Sequence, residues 1–371
     1  MIKNILITGG AGFIGSHLAD ELIAQGYKVR ALDNLSEQVH GPNAKRPEYL
    51  HRDVELVVGD VRDKAAVKKA LQDIDAVFHF AAMVGVGQSM YQIKNYTDVN
   101  NLGTAVLLEA LIESPVKKLV VASSMSIYGE GLYKTATGQC IEECERNLED
   151  LKKQRWELYD GEKNPLMPIA TPEHKKPCLS SVYALSKYDQ ERLCLITGKA
   201  YNIPTTALRF FNVYGTRQAL SNPYTGVLAI FASRLLNDNA PLIFEDGMQK
   251  RDFVHVKDVA RACRFALEKQ ASSGEVINVG SGNQYSIYEI AENLARVMNK
   301  EIKAQVTGKY RVGDIRHCFA DLTKAKLLLE YEPCIKFDEG LAELSQWLKG
   351  QIAIDHVSKA TSELASRGLT V

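Results

Sequence analysis

Several things are missing from this sequence, and each absence narrows the problem. No sign of charge is in excess: 45 Lys and Arg stand against 45 Asp and Glu, a formal net charge of +0. A balanced chain argues against general nucleic-acid binding, while leaving room for a local basic pocket for a phosphate-bearing small molecule. No apolar run is long enough for a membrane span, and the first ten residues, MIKNILITGG, enter a strand pattern without a signal-peptide cleavage pattern. No C-x-x-C pair occurs among the seven cysteines, Cys140, Cys144, Cys178, Cys194, Cys263, Cys318 and Cys334. An odd, scattered set argues against a disulfide framework, so a reducing cytoplasm is the expected setting. Cys140 and Cys144, with His174 and Cys178 nearby, read as thiols rather than zinc ligands, because zinc sites usually pair their ligands more closely. No metal is therefore expected. Internal repeats and long low-complexity tracts are absent too.

What is present is a chain long enough for a large core in one or two domains. Short apolar runs at 5–8, 28–33, 55–59, 76–80 and 118–123 alternate with helical patterns at 13–25, 65–71 and 99–112. This β-α-β-α rhythm predicts an α/β fold, a doubly wound parallel sheet covered on both faces, with ligands beyond the carboxyl ends of its strands. Residues 130–180 break the rhythm with polar, charged sequence and read as a loop-rich insertion, with a short helix near 148–158, bordering the site or an interface. A helix at 182–201 and a strand at 205–210 follow. The last third mixes short strands with helices near 228–236, 259–269, 287–298 and 339–349. The expected division is a Rossmann-type domain over 1–212, a smaller α/β part over 213–350 and a helix or tail over 351–371. Residues 255–270 are expected to return to the first domain.

The run Gly9-Gly10-Ala11-Gly12-Phe13-Ile14-Gly15 follows the first strand and opens the first helix. Glycines at 9, 12 and 15 let backbone approach a pyrophosphate, and the helix start offers free N–H groups and a partial positive charge. A glycine trio alone is a weak signal, but its place between strand and helix favours a dinucleotide. Asp33, at the end of the second strand, can accept from both hydroxyls of an adenosine ribose and would repel a 2′-phosphate. Asn34 and Leu35 follow it rather than Arg or Lys, so NAD is preferred over NADP. Asp60, after the third strand, is a candidate for the adenine edge, with a turn residue as the equal alternative.

Tyr183 and Lys187 form Tyr-x-x-x-Lys, a spacing that sets both side chains on one helix face. A tyrosine near pKa 10 needs a shift of about three units, about 4 kcal/mol, to serve as a base at pH 7. A nearby lysine cation together with a positive nicotinamide ring could supply it. A Tyr/Lys pair is common on solvated helices, and its partners make it specific. They lie after the fifth strand, in Ala122-Ser123-Ser124-Met125-Ser126-Ile127-Tyr128-Gly129, where a hydroxyl would sit at the carboxyl edge of the sheet.

With these motifs the chain resembles the extended short-chain dehydrogenase/reductases, in particular their nucleotide-sugar 4-epimerases, from Ile5 to about Lys349. The resemblance implies Ser124 as catalytic hydroxyl, Tyr183 as base and Lys187 as the partner that also holds the nicotinamide ribose. It places Asn100 near the cofactor, Phe80, Ala81 and Ala82 along it, and Phe13, Ile14, Val61 and Phe210 around it. On the substrate side it implies Ser126, Asn212, Arg251 and Arg311, the two arginines near a diphosphate, with Asp314 for the nucleoside ribose. Arginine suits phosphate because its fork donates two bonds, although a single arginine more often ends in a surface ion pair. Val84 stands where the family carries a lysine, so one polar contact is lost. The resemblance also implies a homodimer through the helices near 99–112 and 182–200.

Related dehydratases follow the catalytic hydroxyl with an Asp-Glu pair that eliminates water. Met125 and Ser126 stand there instead, which disfavours dehydration. What remains is oxidation at C4 with NAD as hydride acceptor, rotation of the 4-keto sugar, and return of the hydride to the other face. Segments 126–131, 171–173 and 181–191 resemble the dTDP-L-rhamnose 4-epimerase subgroup, which makes dTDP-6-deoxy-L-talose. UDP-glucose or UDP-N-acetylglucosamine epimerisation and 4-keto-sugar reduction are the competing enzymatic readings. A non-catalytic NAD-binding regulator is the reading from another class, and the joint presence of Ser124, Tyr183 and Lys187 argues against it.

Overall fold

A computed structural model of the protein describes residues 2–142 and 145–370. Its centre is a seven-stranded, all-parallel sheet. We label the strands β1 (Asn4–Thr8), β2 (Lys28–Asp33), β3 (Glu55–Val58), β4 (Ala76–His79), β5 (Lys118–Ser124), β6 (Thr205–Phe210) and β7 (Val276–Val279). Their spatial order is β7-β6-β5-β4-β1-β2-β3. The chain moves outward from β1 to β3, then restarts on the other side of β1 with β4. The strand order therefore reverses between β1 and β4, where the loops beyond the strand ends diverge and leave a crevice.

Alternation along the strands builds two cores. On β1, Ile5 and Ile7 join one buried cluster with Leu18 and Leu22, while Leu6 joins the other with Leu107, Leu111 and Cys194. The first cluster lies under α1 (Phe13–Ala24) and α6 (Val256–Glu268), which pack on each other. The second lies under α2 (Lys64–Ala70), α3 (Gly103–Glu113) and α4 (Val182–Ala200). Full burial of each such aliphatic side chain contributes about 1.5–3 kcal/mol, so a strand apolar on both faces is stable only in the middle of the sandwich.

Beyond β6, a third core joins α5 (Val227–Leu236), α7 (Ile287–Val297) and α8 (Phe337–Leu348), with Phe231, Ile290, Leu294, Leu341 and Leu344 at its centre. Two stretches between residues 213 and 350 return to the main sheet. Helix α6 covers it, and β7 pairs with β6 along its edge. A four-residue run such as Val276–Val279 carries no local mark of which sheet it joins. The tail forms a helix, α9 (Val357–Ser366).

Two expectations change. The helix expected over 99–112 is π-helical over Thr97–Leu102 and α-helical only from Gly103. The 130–180 insertion carries the short helix expected there, at Leu148–Lys152, and adds a small sheet in which Leu132–Lys134 pairs antiparallel with Cys140–Ile141 and with Met167–Ile169. Cys140 is exposed and Cys178 buried, and Cys144 lies outside the described residues.

The insertion is fastened to the third-core lobe by buried charge. Arg146 reaches Glu130 at 3.1 Å and Glu245 at 2.7 Å. Arg316, whose side chain is 2% exposed, reaches Glu157 at 2.6 Å, Glu245 at 3.0 Å and Asp246 at 2.6 Å. Removing one partner of such a network leaves the others buried without compensation. Arg316→Met should therefore lower unfolding free energy by about 3 kcal/mol in a denaturant titration. A loss no larger than that of an exposed Arg→Met control would show that the network does not fasten the insertion.

Candidate active site

Every strand of the sheet's central part delivers a residue to one cleft of about 600 Å³. Gly9 follows β1, Asp33 closes β2, Asp60 and Val61 follow β3, Phe80, Ala81 and Ala82 follow β4, Ser124 closes β5 and Phe210 closes β6. Gly12, Phe13, Ile14, Gly15, Asn34, Val84, Ser126, Tyr183, Lys187, Asn212, Arg251, Arg311 and Asp314 line the same cleft. Of the residues singled out in the sequence, Asn100 alone is not in the lining. It is buried behind it, accepting from Met83 N at 2.7 Å and donating to Met83 O at 3.1 Å and Ser186 Oγ at 2.9 Å. It shapes the loop after β4 without facing the cleft.

The dinucleotide end is built from close backbone contacts. A Cβ on Gly15 would stand 2.4 Å from Gly9 O, and one on Gly9 would meet Ala81 N at 3.0 Å, with φ already at +70°. Gly12 is different: a Cβ there meets only Gly9 O, at 3.3 Å, and otherwise points into open space. Helix α1 starts at Gly12 with no capping side chain and no acidic residue in its first turn, leaving its N–H groups for an anion. Asp33 ties the turn to β2, accepting from Ala11 N at 3.0 Å and Leu35 N at 2.9 Å. Asp60 is engaged by Arg62 and, at 3.1 Å, by Asn34, and the Arg62 hydrogen bond is the main cause that lowers its pKa to about 2. These residues fit a dinucleotide: an uncapped helix start, an open space at Gly12 and a carboxylate at the end of β2.

At the other end of the sheet edge, the two neighbouring serines face different partners. Ser123 donates to Glu191 at 2.6 Å, itself paired with Arg209 at 2.7 Å. Ser124 accepts from Ser126 N and donates to Ser126 Oγ, both at 3.1 Å, and hydrogen-bonds Tyr183. The start of α4, which carries Tyr183, is held by Ser181 accepting from Ala184 N and by Ser89 Oγ accepting from Tyr183 N at 3.0 Å. Burial raises the Tyr183 pKa, and the Ser124 bond opposes that rise. The Lys187 ammonium donates to Gln190 Oε1 at 2.6 Å, and burial pulls its own pKa down to about 8. With its pKa raised by burial, Tyr183 is a neutral phenol at neutral pH.

Behind Lys187 runs a buried chain that the sequence reading missed. Gln190 Nε2 donates to Thr104 Oγ1 at 2.9 Å, His79 Nε2 meets Thr104 Oγ1 at 2.8 Å, and His79 Nδ1 meets Thr8 Oγ1 at 2.8 Å. The signal was present for one member, because Gln190 lies three residues from Lys187 on the same helix face.

At the third-core side, Asp314 stands between Arg311 at 3.1 Å and Arg251 at 3.8 Å, and both hold its pKa down against burial. Two guanidiniums against one carboxylate leave a net positive charge. Arg251 also donates to the carbonyls of Lys250, Ile315 and Arg316, so its fork is largely engaged by backbone. Arg311 lies over the Phe244 ring, and its Nε finds no protein acceptor. Asn212 Oδ1, Gln218 Oε1 and Gln249 Oε1, also on lining residues, likewise have no partner. Buried polar atoms are rarely left so; four on the lining of one cleft mark it as a place for a polar ligand. No described residue of 127–180 lines the cleft, so of the two expected places for the insertion, the site or an interface, the first is not met. The insertion acts from behind: Arg146 donates to Asp314 O at 3.2 Å and lies over the Tyr310 ring.

This geometry defines a dinucleotide-binding α/β protein with a Ser-Tyr-Lys centre. The chain belongs to the NAD dependent epimerase/dehydratase family, which it matches over residues 5–148 and 157–280. It is 34% identical to the dTDP-L-rhamnose 4-epimerase of Burkholderia thailandensis, over 94% of this chain and 96% of that one. Among solved structures, it is similar to the UDP-glucose 4-epimerase of Thermotoga maritima with UDP-glucose, at 32% identity and TM-score 0.76, covering 93% and 98% of the two chains. It is similar also to the UDP-glucuronic acid 4-epimerase of Bacillus cereus with UDP-glucuronic acid and NAD, at 30% identity and TM-score 0.76, covering 93% and 99%.

Since Gly12 is the one glycine of the three whose Cβ would meet a single atom, Gly9 O at 3.3 Å, and nothing nearer, Gly12→Val separates binding from folding. The variant should unfold within about 1 kcal/mol of the parent yet lose copurifying dinucleotide, read from its absorbance after denaturation. Full retention of dinucleotide would place the pyrophosphate elsewhere.

Proposed function

We propose that this protein is an NAD-dependent nucleotide-sugar 4-epimerase. The observation that carries the reading is that Ser124 and Tyr183, with Lys187 one helical turn on, line one cleft together with Arg311, Asp314 and unpartnered polar atoms. One end is suited to proton transfer and the other to a nucleoside diphosphate. Gly9, Gly12, Gly15 and Asp33 would hold NAD, with Phe80, Ala81, Ala82 and Phe210 along it.

Bound NAD supplies the acceptor and then the donor for the hydride at C4. Ser124 orients the sugar 4-hydroxyl by hydrogen bonding, and Tyr183 Oη, once ionised, accepts that hydroxyl's proton. Lys187, with a positive nicotinamide beside it, would lower the cost of the phenolate. Tyr183 later returns the proton to the same oxygen, so no proton or electron is consumed overall. Arg311 and Arg251 with Asp314 anchor the nucleotide while the 4-keto sugar turns.

For the sugar, the first candidate is dTDP-L-rhamnose, giving dTDP-6-deoxy-L-talose. Similarity to the Burkholderia enzyme supports it, and Val84 offers an apolar surface suited to a 6-deoxy sugar's methyl. The chain is further expected to work in the cytoplasm as a homodimer. Leu185, Leu193 and Ile196 on α4, and Leu102 at the end of the π-helical turn, are exposed apolar side chains on the two elements expected to pair. Among the described residues no helix is long and apolar enough to cross a membrane.

Proton NMR of the purified protein without added cofactor, mixed with dTDP-L-rhamnose, UDP-glucose and UDP-N-acetylglucosamine in turn, tests the reaction. A C4-epimeric set of signals is expected, and Tyr183→Phe should slow its appearance by ~10²–10⁴-fold with NAD still bound. Unchanged turnover in that variant would remove the mechanism. Light scattering of Ile196→Glu tests the dimer: the variant should run as a monomer, and a dimer of unchanged mass would move the interface off α4.

A further inference from the structure

The mouth of the cleft is crossed by the C-terminal segment, which lies outside every motif considered above. It is anchored first on the third-core lobe. Asp355 pairs with Arg234 at 3.0 Å and accepts from Asn239 at 2.8 Å, and Asn237 donates to Ala353 O at 2.9 Å. From there α9 runs across to the cofactor side. Val357, Ala360, Thr361 and Leu364, at i, i+3, i+4 and i+7, form one helix face, and all four line the cleft. Leu364 packs on Gly87, close enough that a Cβ on that glycine would lie 3.3 Å from it.

The far end is clasped to both walls. Glu363 accepts from Tyr91 at 2.9 Å, on the loop after β4, and from Tyr224 at 3.1 Å, on the loop before α5; the two hydroxyls are 2.5 Å apart. The Arg367 guanidinium lies 4.3 Å from the centre of the Tyr91 ring. Past the helix, Val312 N donates to Leu369 O at 3.0 Å and Arg311 pairs with Thr370, joining the tail to the segment that carries Arg311 and Asp314. The surface against which Leu364 rests belongs to the helix Val86–Ser89, and Ser89 holds the Tyr183 amide. One strap thus touches the loop that positions the base and the segment that holds the diphosphate arginine.

We propose that residues 353–370 are a seal of the substrate site, whose apolar face completes the sugar pocket and keeps the 4-keto sugar from leaving before it is reduced again. The proposal rests on the epimerase reading. An oxidised sugar has no covalent tie to the protein, and its two electrons stay on the bound dinucleotide if it escapes. Each escape therefore leaves one reduced dinucleotide in the enzyme and one keto sugar in solution, with no net epimer formed.

The test uses the full chain, a chain ending at Asp355, and the point variant Glu363→Ala, which removes only the clasp to Tyr91 and Tyr224. Each is mixed with the nucleotide-sugar that the full chain epimerises. Reduced dinucleotide is followed by its near-ultraviolet absorbance, and released keto sugar by mass spectrometry after trapping with borodeuteride. In both shortened and point variants KM should rise by ~10-fold or more, and reduced dinucleotide should build up in step with released keto sugar. Copurified NAD and the unfolding transition of Glu363→Ala should match the parent, so a truncated chain that fails to fold leaves the point variant to decide. Equal KM and no excess of reduced dinucleotide in Glu363→Ala, alongside an active parent, would overturn the seal. A parent that epimerises no nucleotide-sugar would instead overturn the reading on which the seal rests.

Discussion

The interaction on which the site depends is the hydrogen bonding of His79, wholly buried at the end of β4. Burial holds its pKa down to about 3, so it is a neutral imidazole at any pH where the protein works. The proton positions then follow by elimination. Thr8 Oγ1 already accepts the amides of Phe80 and Ala81, each at 3.1 Å, so its own hydrogen goes to His79 Nδ1. The imidazole proton is left on Nε2 and is donated to Thr104 Oγ1, which passes its hydrogen to Asn100 O at 2.5 Å. Thr104 also accepts Gln190 Nε2, which turns the amide oxygen of Gln190 toward Lys187. The lysine is thus aimed from the switch point of the sheet, through four side chains whose hydrogen-bonding roles leave one consistent arrangement.

That chain explains why the carboxyl edge can carry chemistry. Strands β1 and β4 fix Thr8 and His79 to within the register of one pair, because Thr8 lies opposite His79 in the parallel ladder. The same pair sets the Phe80–Ala82 segment along which a dinucleotide would lie. Helices α3 and α4 contribute Thr104, Lys187 and Gln190, and they are held by the apolar cluster beneath them. Neither helix could shift by a turn without stranding a buried polar atom, a loss of about 1–3 kcal/mol for each atom left unpaired. Packing and hydrogen bonding therefore enforce the same geometry.

Much of this was legible in the sequence. Short apolar runs and the strand-helix rhythm located β1 to β6 to within a residue or so, and the glycine turn, Asp33, Ser124, Tyr183 and Lys187 all line one cleft. The illegible parts share one physical reason: they depend on partners distant in the chain. Val276–Val279 is a strand because β6 offers an edge. The 130–180 insertion is polar because its Arg146 reaches Glu245 and its Glu157 reaches Arg316, both far along the chain. No local pattern distinguishes such buried charges from solvated ones. Asn100 was placed beside the cofactor by its motif, and the fold puts it one layer behind.

The division of labour between the two ends of the cleft follows from what each end leaves unsatisfied. Around Lys187 the buried polar groups of the described residues are paired within the protein, and burial raises the cost of charge there: it drives the Tyr183 pKa up, so the tyrosine is a neutral phenol at neutral pH, and the Lys187 pKa down to about 8, which still leaves the lysine a cation. Around Arg311 the charge is already positive and what is lacking is acceptors and donors for Arg311 Nε, Asn212 and Gln249. A ligand that brings a cation to the first place and phosphate oxygens with ribose hydroxyls to the second would answer both deficits at once. An oxidised nicotinamide dinucleotide beside a nucleoside-diphosphate sugar has that distribution. The Tyr183 phenolate would then become accessible once the oxidised dinucleotide is seated beside it, which ties proton abstraction to the bound cation.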